Sequence, residues 1–333
     1  MQDLDKRNLS ICIAAYNRPE LLKDTLDSIA KLDAYFDIHI IDDKSPRGEE
    51  IEKVVTRWTS SYSGKVDFIR NSKNLGEVET KRLLFERVKT EYLMLLGDDD
   101  TLVKSNFDSM IQSIAKSKEH FDLELFGYNV IDERNAKLKT RKSLFGMSSS
   151  NMNHLLRKYF MRHVTFPFYY FHPALYIIKT DVAKNLDLDP AIGIGEDYDL
   201  FIRIMNSSNV RWRINPIVIF NWRKHNKESK NQSSDVRKRF ETKYLIIRKH
   251  YLLDLKRFWI LDIPLWFDEG YSLEKKNLEE LEYSQLQRFL VSNSTVKYAI
   301  LIALPFYTIY KLGEYALIQT LFILYGRDHH TRI

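Results

Sequence analysis

The chain has 333 residues, of which 44% are apolar, so it is long and apolar enough for one large domain or two and is not a disordered chain. Its formal net charge of +6 is modest, and it contains neither zinc-finger spacing nor an aromatic RNA-binding motif, so we expect no nucleic-acid partner. The single cysteine, Cys12, lies in an apolar run and is predicted to be a core residue, and it excludes a disulfide within the chain. No signal peptide is apparent, and a cytoplasmic location is expected.

Short apolar runs alternate with helical patterns over the first 130 residues. Strands are predicted at 9–14, 38–41, 66–69, 92–96 and 123–130. Helices are predicted after Asn17, over 77–89 and over 107–117. In the first helix we expect Asn17 as the N-cap, Pro19 in the first turn, and an apolar stripe of Leu22, Leu26 and Ile29. This alternation predicts an α/β fold with a doubly wound, mostly parallel sheet, in which ligands bind beyond the carboxyl ends of the strands.

Three polar segments directly follow predicted strands, namely Ala14–Asn17, Asp42–Asp43 and Asp98–Asp100. The last, here called the aspartate cluster, is the strongest signal, because adjacent buried carboxylates repel one another unless a cation lies between them. Their oxygens suit Mg²⁺ or Mn²⁺, which would bridge a diphosphate. A solvent-exposed acidic turn is the alternative for the aspartate cluster, and an ordinary turn after a strand is the alternative for Asp42–Asp43.

Together these segments resemble glycosyltransferase family 2, whose members have the GT-A fold. The resemblance covers residues 9–107 and depends on the order and spacing of the motifs. These are Ser10–Pro19, Ile40–Ser45, Asn74–Gly76 followed six residues later by Arg82, and an apolar strand that runs into the aspartate cluster. Gly97 departs from the commonest family pattern, which has an aspartate there, and this leaves open how the three aspartates divide their roles.

The resemblance implies an inverting glycosyltransferase, hexosyl or deoxyhexosyl, that depends on Mn²⁺ or Mg²⁺. The donor would be a nucleotide-diphosphate sugar and the acceptor a hydroxyl of a sugar or lipid-linked oligosaccharide, in surface polysaccharide biosynthesis such as that of O-antigen or capsule. By resemblance, Asp99 is the principal metal ligand. The residues implied in holding the donor nucleotide are Ala14, Tyr16, Asn17, Arg18, Asp43, Arg82 and Asp98.

Glu196–Asp197 follows two glycines, Gly193 and Gly195, and opens a further helical pattern. Inverting transfer needs a base for the acceptor hydroxyl, and a carboxylate at a helix N-terminus is kept ionised by the helix dipole. The pair resembles the family's second carboxylate motif, which implies Asp197 as the base and Glu196 in the acceptor region; a helix cap is the alternative. Trp222–Asn226 resembles a family segment near the diphosphate, which implies His225 as a metal ligand and Arg223 as a diphosphate contact. A basic surface loop is the alternative there.

The predicted regions are a nucleotide-sugar-binding half (1–130), an acceptor-binding half (131–233) and a helical C-terminal appendage (234–333). Residues 137–153 are polar and predict a loop. The apolar run 296–310 would be a helix of about 22 Å, too short to span a bilayer comfortably. Residues 295–326 are therefore predicted to hold the protein peripherally on the inner face of the cell membrane, or to pack in a homo-oligomer.

Two other functions fit a sheet of this kind. A sugar-nucleotide nucleotidyltransferase would have a glycine-rich phosphate loop after the first strand, whereas Ala14–Asn17 contains no glycine. A non-catalytic sugar-binding module would need neither the aspartate cluster nor Glu196–Asp197. A donor-hydrolysis assay would distinguish such a module from an enzyme.

Overall fold

The computed structural model describes residues 8–116, 121–142, 147–148, 175–186, 188, 197, 200, 203–204, 207 and 209–225. The chain divides into two units after His225, and every described residue lies in the first of them. Glu196 and the whole predicted appendage lie outside the described residues, and the predicted domain boundaries stay predictions. Within the described part, no helix has the length and apolar character needed to cross a membrane.

The strands with described bounds are β1 (Leu9–Ala15), β2 (Asp37–Asp42), β3 (Val66–Arg70), β4 (Tyr92–Gly97), β5 (Thr101–Leu102), β6 (Leu123–Ile131), β7 (Lys137–Arg141), β8 (Met147–Ser148), β9 (Tyr176–Lys179) and β10 (Trp212–Arg223). The helices are α1 (Pro19–Ala30), α2 (Gly48–Thr59), α3 (Glu77–Arg87), α4 (Lys104–Lys116) and α5 (Thr180–Lys184). The five strands predicted from the sequence lie within β1, β2, β3, β4 and β6, and are confirmed.

All of these strands belong to one sheet, in the order β3-β2-β1-β4-β9-β6-β10-β5, with β7 paired to β6 and β8 to β10. The first four strands of this order are parallel, as the alternation of strands and helices predicts. Beyond them the sheet is mixed, because β9 runs antiparallel between β4 and β6, and β10 is parallel to β6. Since β1 and β4 are parallel neighbours, the residues that follow them meet at one edge of the sheet.

The main core lies between one face of the sheet and the helices α1, α2 and α4. The predicted stripe of α1 is confirmed, because Leu22, Leu26 and Ile29 are fully buried. Cys12 is also buried, as predicted. The chain passes from β3 at the edge of the sheet to β4 on the other side of β1, and α3 connects these two strands. A right-handed crossover, the usual form, would put α3 on the opposite face, and none of its residues belongs to the main core. Helix α3 packs against β1 and β2.

Two local predictions are wrong. Arg18, not Asn17, is the N-cap residue of α1, since Asn17 takes a positive φ of 61° and its backbone N–H donates to Ser45 Oγ (2.8 Å). Asparagine tolerates this left-handed conformation, which turns the chain sharply between β1 and α1. The segment predicted as a loop contains β7 and β8. β7 has exposed side chains at 137–140 and therefore lacks the apolar alternation of a half-buried strand, but its backbone pairs with β6.

Candidate active site

The candidate site begins where β1 and β4 end side by side. The backbone N–H of Tyr16 donates to Asp98 Oδ2 (2.9 Å). Arg18 Nη1 lies 3.5 Å from Asp98 Oδ1 and also donates to Asp99 Oδ2 in a shorter contact. The parallel pairing of the two strands thus brings two of the residues implied in nucleotide binding, Tyr16 and Arg18, onto the aspartate cluster. Tyr16 is 41% exposed and is therefore partly accessible to a ligand.

Asp99 has a second partner, His225, which lies just after β10. His225 Nε2 lies 2.7 Å from Asp99 Oδ2, and both side chains are largely buried. Burial alone would raise the pKa of Asp99, but the hydrogen bond from His225 and the positive charge of Arg18 outweigh it and hold that pKa below its usual value. The two residues predicted as metal ligands therefore lie at hydrogen-bonding distance, with Asp99 ionised.

The other two aspartates shift in the opposite direction. Burial, followed by repulsion from Asp99, raises the pKa of Asp98 to about 7. The same two causes raise the pKa of Asp100 well above its usual value. A cation placed beside the cluster would favour the ionised form of each carboxylate. The three carboxylates are largely buried, so the cluster is not the exposed acidic turn that was the alternative.

Arg223 is only 1% exposed and is directed into the protein. Its backbone N–H donates to Asp100 Oδ1 (2.9 Å), and its Nε donates to the backbone oxygen of Asp99 (2.8 Å). Its Nη1 donates to the backbone oxygen of Asp132 (3.2 Å), and its Nη2 lies 3.5 Å from Asp24 Oδ2. This geometry favours a positioning role for Arg223, which holds the end of β10 against the aspartate cluster. The diphosphate contact implied by the family resemblance stays a prediction.

Asp43, after β2, is bonded to the loop that precedes α3. Its Oδ1 accepts from Asn71 Nδ2 and from the backbone N–H of Leu75 (both 2.8 Å), and its Oδ2 accepts from the backbone N–H of Gly76 (2.8 Å). A carboxylate accepts about four hydrogen bonds, so Asp43 keeps capacity for one further donor, such as a group of a nucleotide. Ala14 pairs with Gly97 in the sheet and is half-buried at the same edge.

On α3 the residue directed inward is Lys81, which the sequence analysis missed. Lys81 Nζ lies 2.6 Å from Asp197 Oδ1 and 3.0 Å from Glu77 Oε1. Arg82, implied in nucleotide binding, is exposed instead and pairs with Glu79 on its own helix. The helical period of α3 predicts that Lys81 is directed inward. Lys81 follows the buried Val78 by three residues and precedes the buried Leu84 and Phe85 by three and four.

Asp197, the predicted base, is half-buried on the Lys81 side of the site. Burial raises its pKa, whereas the charge of Lys81 and its hydrogen bond act to lower it. The charge of Glu77 acts to raise the pKa of both Asp197 and Asp98. Among the residues that the structure describes, no three His, Cys, Asp or Glu side chains form a complete metal site.

The sequence is similar to those of known glycosyltransferases. The sequence model of glycosyl transferase family 2 matches residues 10–181, more than half of the chain. An uncharacterized glycosyltransferase of Methanocaldococcus jannaschii is 22% identical over 272 residues, which cover 81% of this chain and 88% of that protein. The abequosyltransferase of Salmonella typhimurium is 24% identical over 208 residues, which cover 60% of this chain and 61% of that protein.

Solved structures show the same fold. TarS 1-349 of S. aureus in complex with UDP-GlcNAc has a TM-score of 0.53 at 16% identity, covering 84% of this chain and 77% of that one. GalNAc-T7 with UDP, GalNAc and Mn²⁺ has a TM-score of 0.50 at 15% identity, covering 81% of this chain and 58% of that one. These similarities confirm the α/β fold of GT-A type. Since the family model spans more than half of the sequence, the chain belongs to glycosyl transferase family 2.

Proposed function

We propose that this glycosyltransferase is metal-dependent and inverting, and that it transfers a hexosyl or deoxyhexosyl unit from a nucleotide-diphosphate sugar to an acceptor hydroxyl in surface polysaccharide biosynthesis. The observation that carries the proposal is the convergence of Arg18 and His225 on Asp99, at the edge where β1 and β4 end. The UDP-GlcNAc in the TarS structure supports a nucleotide-sugar donor. The similarity to an abequosyltransferase supports a polysaccharide role.

The side chains at this edge fit a divalent ion. Carboxylate oxygens such as those of Asp99 are preferred by Mn²⁺ and Mg²⁺. The imidazole of His225, 2.7 Å away, favours Mn²⁺ over Mg²⁺, because Mg²⁺ binds oxygen almost exclusively. Two protein ligands are enough, since such ions are commonly completed by substrate phosphates and water. When bound, the ion would neutralise negative charge on the departing diphosphate. The Mn²⁺ in the similar GalNAc-T7 structure supports this assignment.

The remaining residues then have distinct tasks. Tyr16 offers an exposed ring beside the aspartate cluster for a nucleobase, and Asp43 offers its remaining acceptor position to the nucleotide. Asp197 takes the proton of the acceptor hydroxyl as its oxygen attacks the anomeric carbon, while the bond to the diphosphate breaks on the opposite side. Lys81 holds the Asp197 carboxylate in place through its 2.6 Å contact. Arg223 positions the aspartate cluster.

The proposal is tested by thermal shift with a panel of nucleoside diphosphates, each with and without Mn²⁺, followed by hydrolysis of the corresponding sugar donor. We expect a diphosphate to raise the melting temperature only when Mn²⁺ is present, and we expect slow Mn²⁺-dependent release of that diphosphate from its sugar. A binding module would bind the donor without hydrolysing it, and a nucleotidyltransferase would release pyrophosphate from a nucleoside triphosphate. Undiminished sugar transfer in EDTA would contradict the metal-dependent mechanism.

Lys81 is expected to act on the reaction through Asp197. Replacing Lys81 by Met removes the charge and the hydrogen bond that lower the pKa of Asp197, while burial continues to raise it. The base must be ionised, so its activity falls as the pH drops through its pKa. The acid limb of the kcat/KM profile should therefore move to higher pH in Lys81→Met and return towards wild type in Lys81→Arg.

Lys23→Met is the matched control, because Lys23 is 61% exposed on α1 and pairs only locally with Asp27. This control should leave the pH profile unchanged. A Lys81→Met protein that is folded and keeps the wild-type acid limb would show that Lys81 has no influence on the base.

We also propose that residues 295–326 hold the protein on the cytoplasmic face of a membrane, where a lipid-linked acceptor would meet the active site. The support is sequence alone, since this segment lies outside the described residues. Exposed in water, its apolar side chains would form a large patch, and flanking cations favour anionic lipid by about 1 kcal/mol each. Vesicle flotation should recover the full-length protein, but not a version that ends at Asn293, with anionic lipid. If both stay soluble and only the full-length protein dimerises, the segment is an oligomer interface instead.

A further inference from the structure

Arg18 lies against the two carboxylates at which the proposed metal would bind. Its guanidinium contacts a carboxylate oxygen of Asp99 and lies 3.5 Å from Asp98 Oδ1, so it stands where the divalent ion would bind. His225 Nε2 approaches that same oxygen of Asp99 from another direction, at 2.7 Å. The side chain of Arg18 is 27% exposed and is therefore partly accessible to an incoming donor.

Arg18 neutralises the cluster in the metal-free protein. Two largely buried carboxylates at neighbouring positions repel each other and need a cation within contact distance. Arg223 does not supply this cation to the carboxylate of Asp99, because its Nε donates to the backbone oxygen of that residue. The guanidinium of Arg18 reaches towards both side chains and therefore supplies the charge.

A divalent ion on Asp99 would lie within a few ångströms of this guanidinium, and the two positive charges would repel each other. We propose that Arg18 competes with the divalent metal for Asp99, and that Arg18 moves to the donor diphosphate when the metal binds. The inference rests on the proposed function. Arg18 is the N-cap residue of α1, and its guanidinium is the group that would meet the donor diphosphate after leaving Asp99. Its planar donor groups match two phosphate oxygens at once.

The competition has a thermodynamic consequence. Without nucleotide, Arg18 weakens the binding of the metal, because it must first leave Asp99. With a diphosphate present, Arg18 has a new partner and this penalty is relieved. Metal and diphosphate therefore bind cooperatively, and linkage requires that each raise the affinity of the other by the same factor. Arg18 is thus a positioning residue that couples the two ligands.

The experiment is a titration of the nucleotide-free protein with Mn²⁺, followed by electron paramagnetic resonance of the unbound ion. Arg18→Gln should bind Mn²⁺ about tenfold more tightly than wild type, a coupling of ordinary size between two sites. Arg18→Lys keeps the charge and should stay near wild type. Arg57→Gln is the matched control, because it removes one exposed positive charge in the last turn of α2 and should leave the affinity unchanged.

Equal or weaker Mn²⁺ binding by a folded Arg18→Gln protein would overturn the proposal. The proposed metal site itself fails separately, and the competition with it, if wild type and Arg18→Gln both bind no Mn²⁺ or if Asp99→Asn binds it as well as wild type. A second measurement needs no variant. In the wild type, Mn²⁺ should increase the rate at which phenylglyoxal modifies Arg18, measured by mass spectrometry, and an unchanged rate would also overturn the proposal.

Discussion

Asp99→Asn is expected to abolish Mn²⁺-dependent donor binding and to lower turnover by about 10³-fold or more, because metal stabilisation of the leaving group contributes several kcal/mol. The substitution keeps the shape of the side chain and removes its charge. Asp99 is the carboxylate on which both Arg18 and His225 converge, so neither Asp98 nor Asp100 can replace it without moving these partners. The measurements are the thermal shift of the variant with nucleoside diphosphate and Mn²⁺, and the rate of sugar transfer.

Asp27→Asn is the control for this variant, because Asp27 lies on the exposed side of α1 and pairs with Lys23. It should retain both the Mn²⁺-dependent thermal shift and the turnover. If Asp99→Asn keeps a Mn²⁺-dependent shift of wild-type size, the metal is held elsewhere and the assignment of Asp99 is wrong.

Asp197→Asn is expected to have a different signature, with donor binding nearly intact and turnover lower by a factor on the order of 10² to 10⁴, the usual contribution of a positioned base. The reason is its location. Asp197 contacts Lys81 on α3 at 2.6 Å, whereas the donor phosphates are proposed to lie at the aspartate cluster. The measurement is a comparison of the donor dissociation constant with kcat, at a pH where the wild-type base is ionised.

Asp181→Asn provides the control, since Asp181 lies in the first turn of α5 and is exposed. A folded Asp197→Asn protein with near-normal turnover would rule out Asp197 as the base. Loss of donor affinity at unchanged kcat would place Asp197 at the donor instead. The two variants Asp99→Asn and Asp197→Asn together distinguish the residue proposed to hold the metal and donor from the residue proposed to accept the proton.

Much of the fold was predictable from local pattern. The apolar runs of β1, β2 and β4 are long enough to require burial, and each ends in the polar residues that form the site. Because parallel strands place their carboxyl ends at one edge, the positions of Tyr16, Asp43 and Asp98 near that edge follow from the chain order alone. β7 was not predictable in the same way, since an exposed strand stabilised by backbone pairing to β6 has no side-chain signature.

Local pattern does not specify long-range partners. The helical period of α3 predicts that Lys81 is directed inward and the adjacent Arg82 outward, but it does not predict that Lys81 meets Asp197, 116 positions away. For Arg223, the resemblance implies a diphosphate contact, which stays a prediction. The burial of Arg223 against backbone oxygens depends on the pairing of β5 with β10, which no local pattern specifies.

The amino-acid sequence by itself determined the α/β class, the family and the edge of the sheet at which the candidate site lies, because these depend on periodicity and on the order of motifs along the chain. Only the tertiary structure decided which atoms meet. Asp99 lies 126 positions before His225 and 81 after Arg18, and their contacts exist because β1, β4 and β10 are brought together in one sheet. Contacts of such separation are set by the packing of the whole sheet, and side-chain directions on α3 and β10 follow from that packing and not from residue type.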